Sequence, residues 1–110
     1  MRRDGGKVMA VIAVNKDNFQ KEVLEAQGIV LVDFFATWCG PCQMMHPVME
    51  KLAEERTDIK ICKIDVDQEM ELAMQYKVVS IPTFLVFKNG EVVNRTMGAK
   101  PQSAIEELLK

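Results

Sequence analysis

The sequence predicts an α/β domain built on a central mixed β-sheet with helices on both faces. Three observations carry that expectation. Apolar segments of strand length alternate with segments of helical periodicity along the 110 residues. The run Ile29 to Ala36, IVLVDFFA, is nearly continuously apolar, which suits a central strand covered on both sides. Asn89-Gly90, set between two further apolar runs, is the strongest local hairpin signal in the chain. It makes at least one pair of strands antiparallel.

The elements follow in order. Val8 to Val14 reads as a first strand. Asn15 or Asp17 can cap a short helix that runs to about Ala26, and Gly28 stops it. After the second strand, Ile29 to Ala36, a helix runs to about Arg56 and turns Met45, Val48, Met49 and Leu52 to one side. Ile59 to Val66 is a third strand, and Asp67 can cap a short helix carrying Leu72 and Ala73. Pro82 to Phe87 and Glu91 to Met97 form the hairpin. Pro101 opens a final helix whose buried side holds Ile105, Leu108 and Leu109. Residues 1–7 are expected to be a flexible leader, and residues 8–110 a single domain.

Composition narrows the function. Apolar residues make up 48% and charged residues 27%, with a net charge of -2. That balance offers no broad positive field for a nucleic-acid backbone. No apolar run approaches the roughly 20 residues of a membrane-spanning helix. Arg2-Arg3 is not followed by the long apolar core of a secretory signal. Three cysteines are too few, and odd in number, for a disulfide scaffold. A reducing, cytoplasmic compartment is the expectation.

Within DFFATWCGPCQMMHP, Cys39 falls where the second strand gives way to a helix. Unpaired backbone N–H groups and the helix dipole favour a thiolate there, and the thiolate is the reactive form of cysteine. Cys42 follows one turn later, a spacing that can close into a disulfide. Pro41 costs no hydrogen bond so near the helix start, Gly40 leaves one side of the sulfur uncrowded, and Trp38 offers an amphipathic wall. In this reading Cys39 attacks a substrate disulfide and Cys42 resolves the mixed disulfide. Asp33 lies in an apolar strand, where a charge is costly, and is the candidate acceptor of the Cys42 proton. The bland alternative is that Asp33 only bonds neighbouring backbone. Zinc would want four ligands, and the pair could recruit only Cys62 and His46, without regular spacing. A structural staple closing so short a loop would stabilise little. Cys62 reads as a small buried hydrophobe, with regulatory oxidation the minor alternative. The scattered methionines read as core or docking-edge residues, without the clustering that copper would ask for.

With these residues in place the sequence resembles the thioredoxin family over essentially the whole chain after its first few residues. The WCGPC motif stands as Trp38, Cys39, Gly40, Pro41 and Cys42. Asp33 matches the family's strand aspartate, Pro47 the proline of the active-site helix, and Lys63 the third-strand lysine. Ser80-Ile81-Pro82-Thr83 matches the cis-proline motif, and Gly90 and Gly98 match later glycines. The resemblance implies the thioredoxin fold and a protein-disulfide reductase, a thiol-disulfide oxidoreductase that binds no cofactor itself. It implies re-reduction by thioredoxin reductase at the expense of NADPH. It implies client proteins such as ribonucleotide reductase, methionine sulfoxide reductases or peroxidases, and a monomer. Lys63 is expected to couple to Asp33 across adjacent strands. A cis Pro82 would place Ile81 beside Cys39. Trp38, Gly40, Pro41, Ile81, Pro82, Gly98 and Ala99 would then form a mostly apolar surface for an extended substrate segment. The resemblance favours a solvent-exposed His46. Two other functions stay open on sequence: a thiol oxidase or disulfide isomerase, and a binding module without redox turnover.

Overall fold

The computed structural model describes residues 10–110. The expected leader, and the Val8 end of the first strand, lie outside the described residues. Strands β1 (Ile12–Ala13), β2 (Ile29–Phe35), β3 (Lys60–Asp65), β4 (Thr83–Lys88) and β5 (Glu91–Met97) form one sheet in the order β1-β3-β2-β4-β5. The β1–β3 and β3–β2 pairs are parallel, whereas β4 runs antiparallel to both β2 and β5. Helices α1 (Gly40–Glu55), α2 (Met70–Gln75) and α3 (Gln102–Leu108) complete the fold.

Side chains alternate across a strand, so β2 serves two cores. Val30, Val32 and Phe34 pack with Cys62, Ile64, Leu85, Phe87 and Leu72 of α2. Leu31 packs on the other face with Met45, Met49 and Leu52 of α1 and Ile105 of α3. Asp33 shares the parity of Leu31 and therefore points to the α1 side. Burial of β2 from Val30 to Phe35 between these layers explains its nearly continuous apolar run. Val48, expected inside, is only half-buried at the margin of the α1 face.

Two elements differ from the sequence expectation. The helix expected after β1 is a π-helical turn, Gln20–Leu24, closed by the Glu25 N–H donating to the Gln20 carbonyl at 2.8 Å. Asn15 closes the turn that leads into it, its Oδ1 accepting from the Asp17 and Asn18 N–H groups at 2.8 and 3.1 Å, while the π-helical turn itself has no side-chain cap. The turn carries Phe19, Val23 and Leu24 into the β2 core, with Phe19 against Tyr76 and Phe87. Asp67 was expected to cap α2, but Glu69 occupies that position and makes no side-chain cap. The Asp67 carboxylate is engaged elsewhere, at the active site.

The hairpin forms as the Asn89-Gly90 pair predicts, with φ of 53° and 85° at the two turn residues. A β-carbon on Gly90 would stand 2.9 Å from the backbone oxygen of Leu24. Strain at positive φ and this clash act together, and backbone oxygen cannot swing aside as a flexible side chain can. Gly90→Ala is therefore expected to cost about 2 kcal/mol or more, read as a lowered midpoint in urea unfolding. An unshifted midpoint would show that the hairpin moves away from Leu24 freely.

Candidate active site

Cys39 is the N-cap of α1, with extended backbone (φ -87°, ψ 116°). The Cys42 backbone N–H donates to Cys39 Sγ at 3.2 Å. That places a fixed donor where a thiolate would carry its charge. Pro41 sits in the first turn of α1, where a missing N–H costs nothing. All three cysteines are free, so this is the dithiol form.

The two sulfurs are not equivalent. Cys39 retains 5% of its surface, while Cys42 has none. Both pack with Phe35 and Ala36 against Val66 and Ile81. Burial first, and then a hydrogen bond with Cys39, push the Cys42 thiol up to about 12. Cys42 therefore needs a base before it can act as a nucleophile.

A loop from across the sheet forms the rim. The Ile81–Pro82 peptide is cis, and the Ile81 carbonyl oxygen accepts from the Cys39 thiol at 4.0 Å. The Gly98 N–H donates to the Pro82 carbonyl at 2.8 Å, joining the end of β5 to this loop at a glycine with φ 89°. Ser80 Oγ donates to Met97 Sδ at 3.1 Å and adds a second tie. Trp38 is 71% exposed, and its indole Nε1–H donates to Asp67 Oδ2 at 2.8 Å. Gly40, Pro41 and Ala99 are exposed, Ile81 and Gly98 are half-buried, and Pro82 is buried.

Beneath the sulfurs lies Asp33, only 1% exposed. Its register partner on β3 is Lys63. Burial raises the Asp33 carboxyl from its ordinary 3.8 to about 7, against the opposing pull of the Lys63 ammonium. Asp33 in turn contributes to the elevation of Cys42, which places the two within electrostatic reach. Asp33 Oδ1 is buried without a protein hydrogen-bond partner.

A sequence model of the family described as Thioredoxin matches residues 10–110. The chain belongs to the thioredoxin family. It is 50% identical over 102 residues to a thioredoxin of Bacillus subtilis (strain 168), an alignment covering 92% of this chain and 96% of that one. It is 50% identical over 97 residues to a thioredoxin of Mycobacterium tuberculosis (strain H37Rv), covering 87% and 84% of the two chains. A bifunctional thioredoxin reductase/thioredoxin of Mycobacterium leprae is 44% identical over 103 residues, 93% of this chain and 22% of that relative. Thioredoxins are thiol-disulfide oxidoreductases, and so is this member of the family.

The thioredoxin fold thus brings together the cysteine pair, Asp33, Lys63, Trp38 and the Ile81–Gly98 rim. It separates Cys62, which is fully buried on the opposite face of the sheet with its thiol pushed up to about 12 by burial. His46 corrects the expectation. The residue is half-buried rather than solvent-exposed, its ring packs edge-on against Phe35 with centroids 5.4 Å apart, and Nε2 is buried. Packing against the aromatic ring, which shares Asp33's face of β2, draws the imidazole inward. Sequence reading gave Asp67 only a capping role and missed its place beside Trp38. Its bond to Trp38 spans 29 positions, and no local pattern announces it. Among the described residues no three His, Cys, Asp or Glu side chains gather to hold a metal. No helix among them is long and apolar enough to cross a membrane.

Proposed function

We propose that this thioredoxin-family chain reduces protein disulfides, with Cys39 as nucleophile, Cys42 as resolving thiol and Asp33 as proton acceptor. The observation that carries the order of attack is the asymmetry of the pair: Cys39 lies at the rim and Cys42 is wholly enclosed. Only Cys39 can meet a protein substrate first.

The Cys39 thiolate attacks one sulfur of the client disulfide. A Cys39–client bond forms, and the other client sulfur leaves with the electron pair. Cys42 then gives its proton to the Asp33 carboxylate and attacks Cys39 Sγ. The Cys39–Cys42 bond forms, the Cys39–client bond breaks, and the second client sulfur departs as a thiolate. Two electrons have passed from the dithiol to the client. Lys63 keeps enough Asp33 ionised near neutral pH to accept the proton, because its charge opposes the effect of burial. Trp38, Gly40, Pro41, Ile81, Pro82, Gly98 and Ala99 form the surface that receives an extended client segment. The Ile81 carbonyl oxygen, at 4.0 Å from Cys39 Sγ, is suited to pairing with a client backbone N–H.

Re-reduction is assigned to a thioredoxin reductase drawing on NADPH. The Mycobacterium leprae relative, whose name joins a thioredoxin reductase to a thioredoxin in one chain, supports that pairing. We assign the chain to the cytoplasm, where thiols are kept reduced, and take it to act as a monomer. Clients of the ribonucleotide reductase, methionine sulfoxide reductase or peroxidase kind fit a surface that reads backbone and shape.

The deciding experiment equilibrates the Cys39–Cys42 couple in defined thiol/disulfide buffers and reads the oxidised fraction by mass spectrometry. The expected potential is about -270 mV, the value known for thioredoxin. A potential between about -120 and -180 mV would make the chain an oxidase or isomerase instead.

A further inference from the structure

The resolving step leaves a proton on Asp33, and that proton must depart before the next cycle. Asp33 is 1% exposed, so the proton leaves through whatever borders the carboxyl. Beside it lies a cavity of about 20 Å3 lined by Val11, Asp33, His46, Met49, Glu50 and Lys63. The volume accommodates one water, which needs roughly 10–15 Å3 and two to four polar partners. Two buried atoms at this cavity's lining residues lack any protein partner: Asp33 Oδ1 and His46 Nε2. His46 as a whole is half-buried, with Nε2 enclosed, so the residue borders both this cavity and the surface. Phe35 holds it there, its ring and the imidazole at 86° to each other.

We propose that His46 takes the resolving-step proton from Asp33 across this cavity and passes it to solvent. The inference rests on the assignment of Asp33 as proton acceptor. The imidazole acts through Asp33, so it is a positioning residue for proton departure. Imidazole suits the task because it exchanges protons in the range where the cell works. Three other ionisable groups face it: Asp33 from β2, Lys63 from β3 and Glu50 from its own helix. No electron crosses in this step. One proton leaves the Asp33 carboxyl, one arrives at His46 Nε2, and one is released to solvent. When the disulfide is reduced again, the same path runs inward and returns a proton to Cys42.

The test uses stopped-flow fluorescence of Trp38, the sole tryptophan, to follow single turnovers of His46→Gln and Asp33→Asn between about pH 6 and 9. In His46→Gln, resolution by Cys42 is expected to slow about fivefold near neutral pH and to change its pH profile. Formation of the mixed disulfide is expected to keep its rate. A slowed Asp33→Asn beside a His46→Gln profile that overlays the wild type overturns the His46 proposal and leaves Asp33 in place. Both variants overlaying the wild type removes the Asp33 assignment as well. A second measurement does not depend on the folding of a His46 variant. His46 is the sole histidine, so its ring signals in NMR are unambiguous. Their titration curve should carry an extra inflection from Asp33 that disappears in Asp33→Asn. A curve unchanged by Asp33→Asn overturns the proposal.

Discussion

Cys39→Ser abolishes disulfide reduction, lowering turnover by a factor on the order of 1,000 or more, while Cys42→Ser still reacts once and stops. The difference follows from burial. A serine at position 39 leaves only the enclosed Cys42 sulfur, which has no exposed surface to meet a protein substrate. A serine at position 42 leaves the Cys39 sulfur at the rim, with its backbone donor from residue 42 intact. The first exchange then proceeds, and nothing follows to break the mixed disulfide. Intact-mass spectrometry of Cys42→Ser after mixing with a disulfide-bonded client should show one covalent adduct per chain, released by an external thiol. An adduct on Cys39→Ser in its place would reverse the order of attack. Two variants equal to the wild type in partner activity would instead favour a binding module that uses the fold without redox turnover.

Asp33→Asn is expected to stabilise the protein and slow it. The carboxyl is raised by burial from 3.8 to about 7, so the folded chain holds a proton there that the unfolded chain gives up. Stability therefore falls as pH rises between those two values and levels off above the higher one. Asparagine carries no charge to bury, so the variant lacks this loss. Its advantage over the wild type should be near zero around pH 4 and reach a plateau above about pH 7. Three pH units of displacement set a ceiling of about 4 kcal/mol on that plateau. Thermal unfolding across that range measures it. An advantage that grows toward acid would contradict the assigned sign. Loss of the proton acceptor should also slow resolution by roughly a hundredfold near neutral pH. Unchanged rates across pH 6 to 9 would defeat the proton-transfer role.

Much of the fold was legible because burial leaves strong marks on a sequence. The nearly continuous apolar run of β2 announced a central strand, and Asn89-Gly90 announced the hairpin turn, since few residues tolerate positive φ. The thiol site was legible for the same reason: the cysteine pair sits at a strand-to-helix junction, which its neighbours mark clearly. The π-helical turn was not legible. Its apolar spacing fits an α-helix nearly as well, and packing of Phe19 against Tyr76 and Phe87 is a long-range matter. Asp67 was misassigned because an aspartate ahead of a helix has a local use, whereas its actual partner, Trp38, is distant in the chain. His46 was misplaced because the family resemblance favoured solvent exposure. The neighbouring Phe35 ring decides which way it turns.

The alternation along β2 makes the central strand two interleaved texts. Val30, Val32 and Phe34 serve only adhesion between layers, whereas Leu31, Asp33 and Phe35 lead from the core to the chemistry. Each set tolerates its own substitutions, judged by different requirements. Insertion or loss of a single residue within the strand would exchange the two sets, carrying the carboxylate to the side of the silent thiol Cys62 and leaving the working sulfurs without it. The strand can thus vary its vocabulary on either face, but its parity is fixed by the side on which its carboxylate lies.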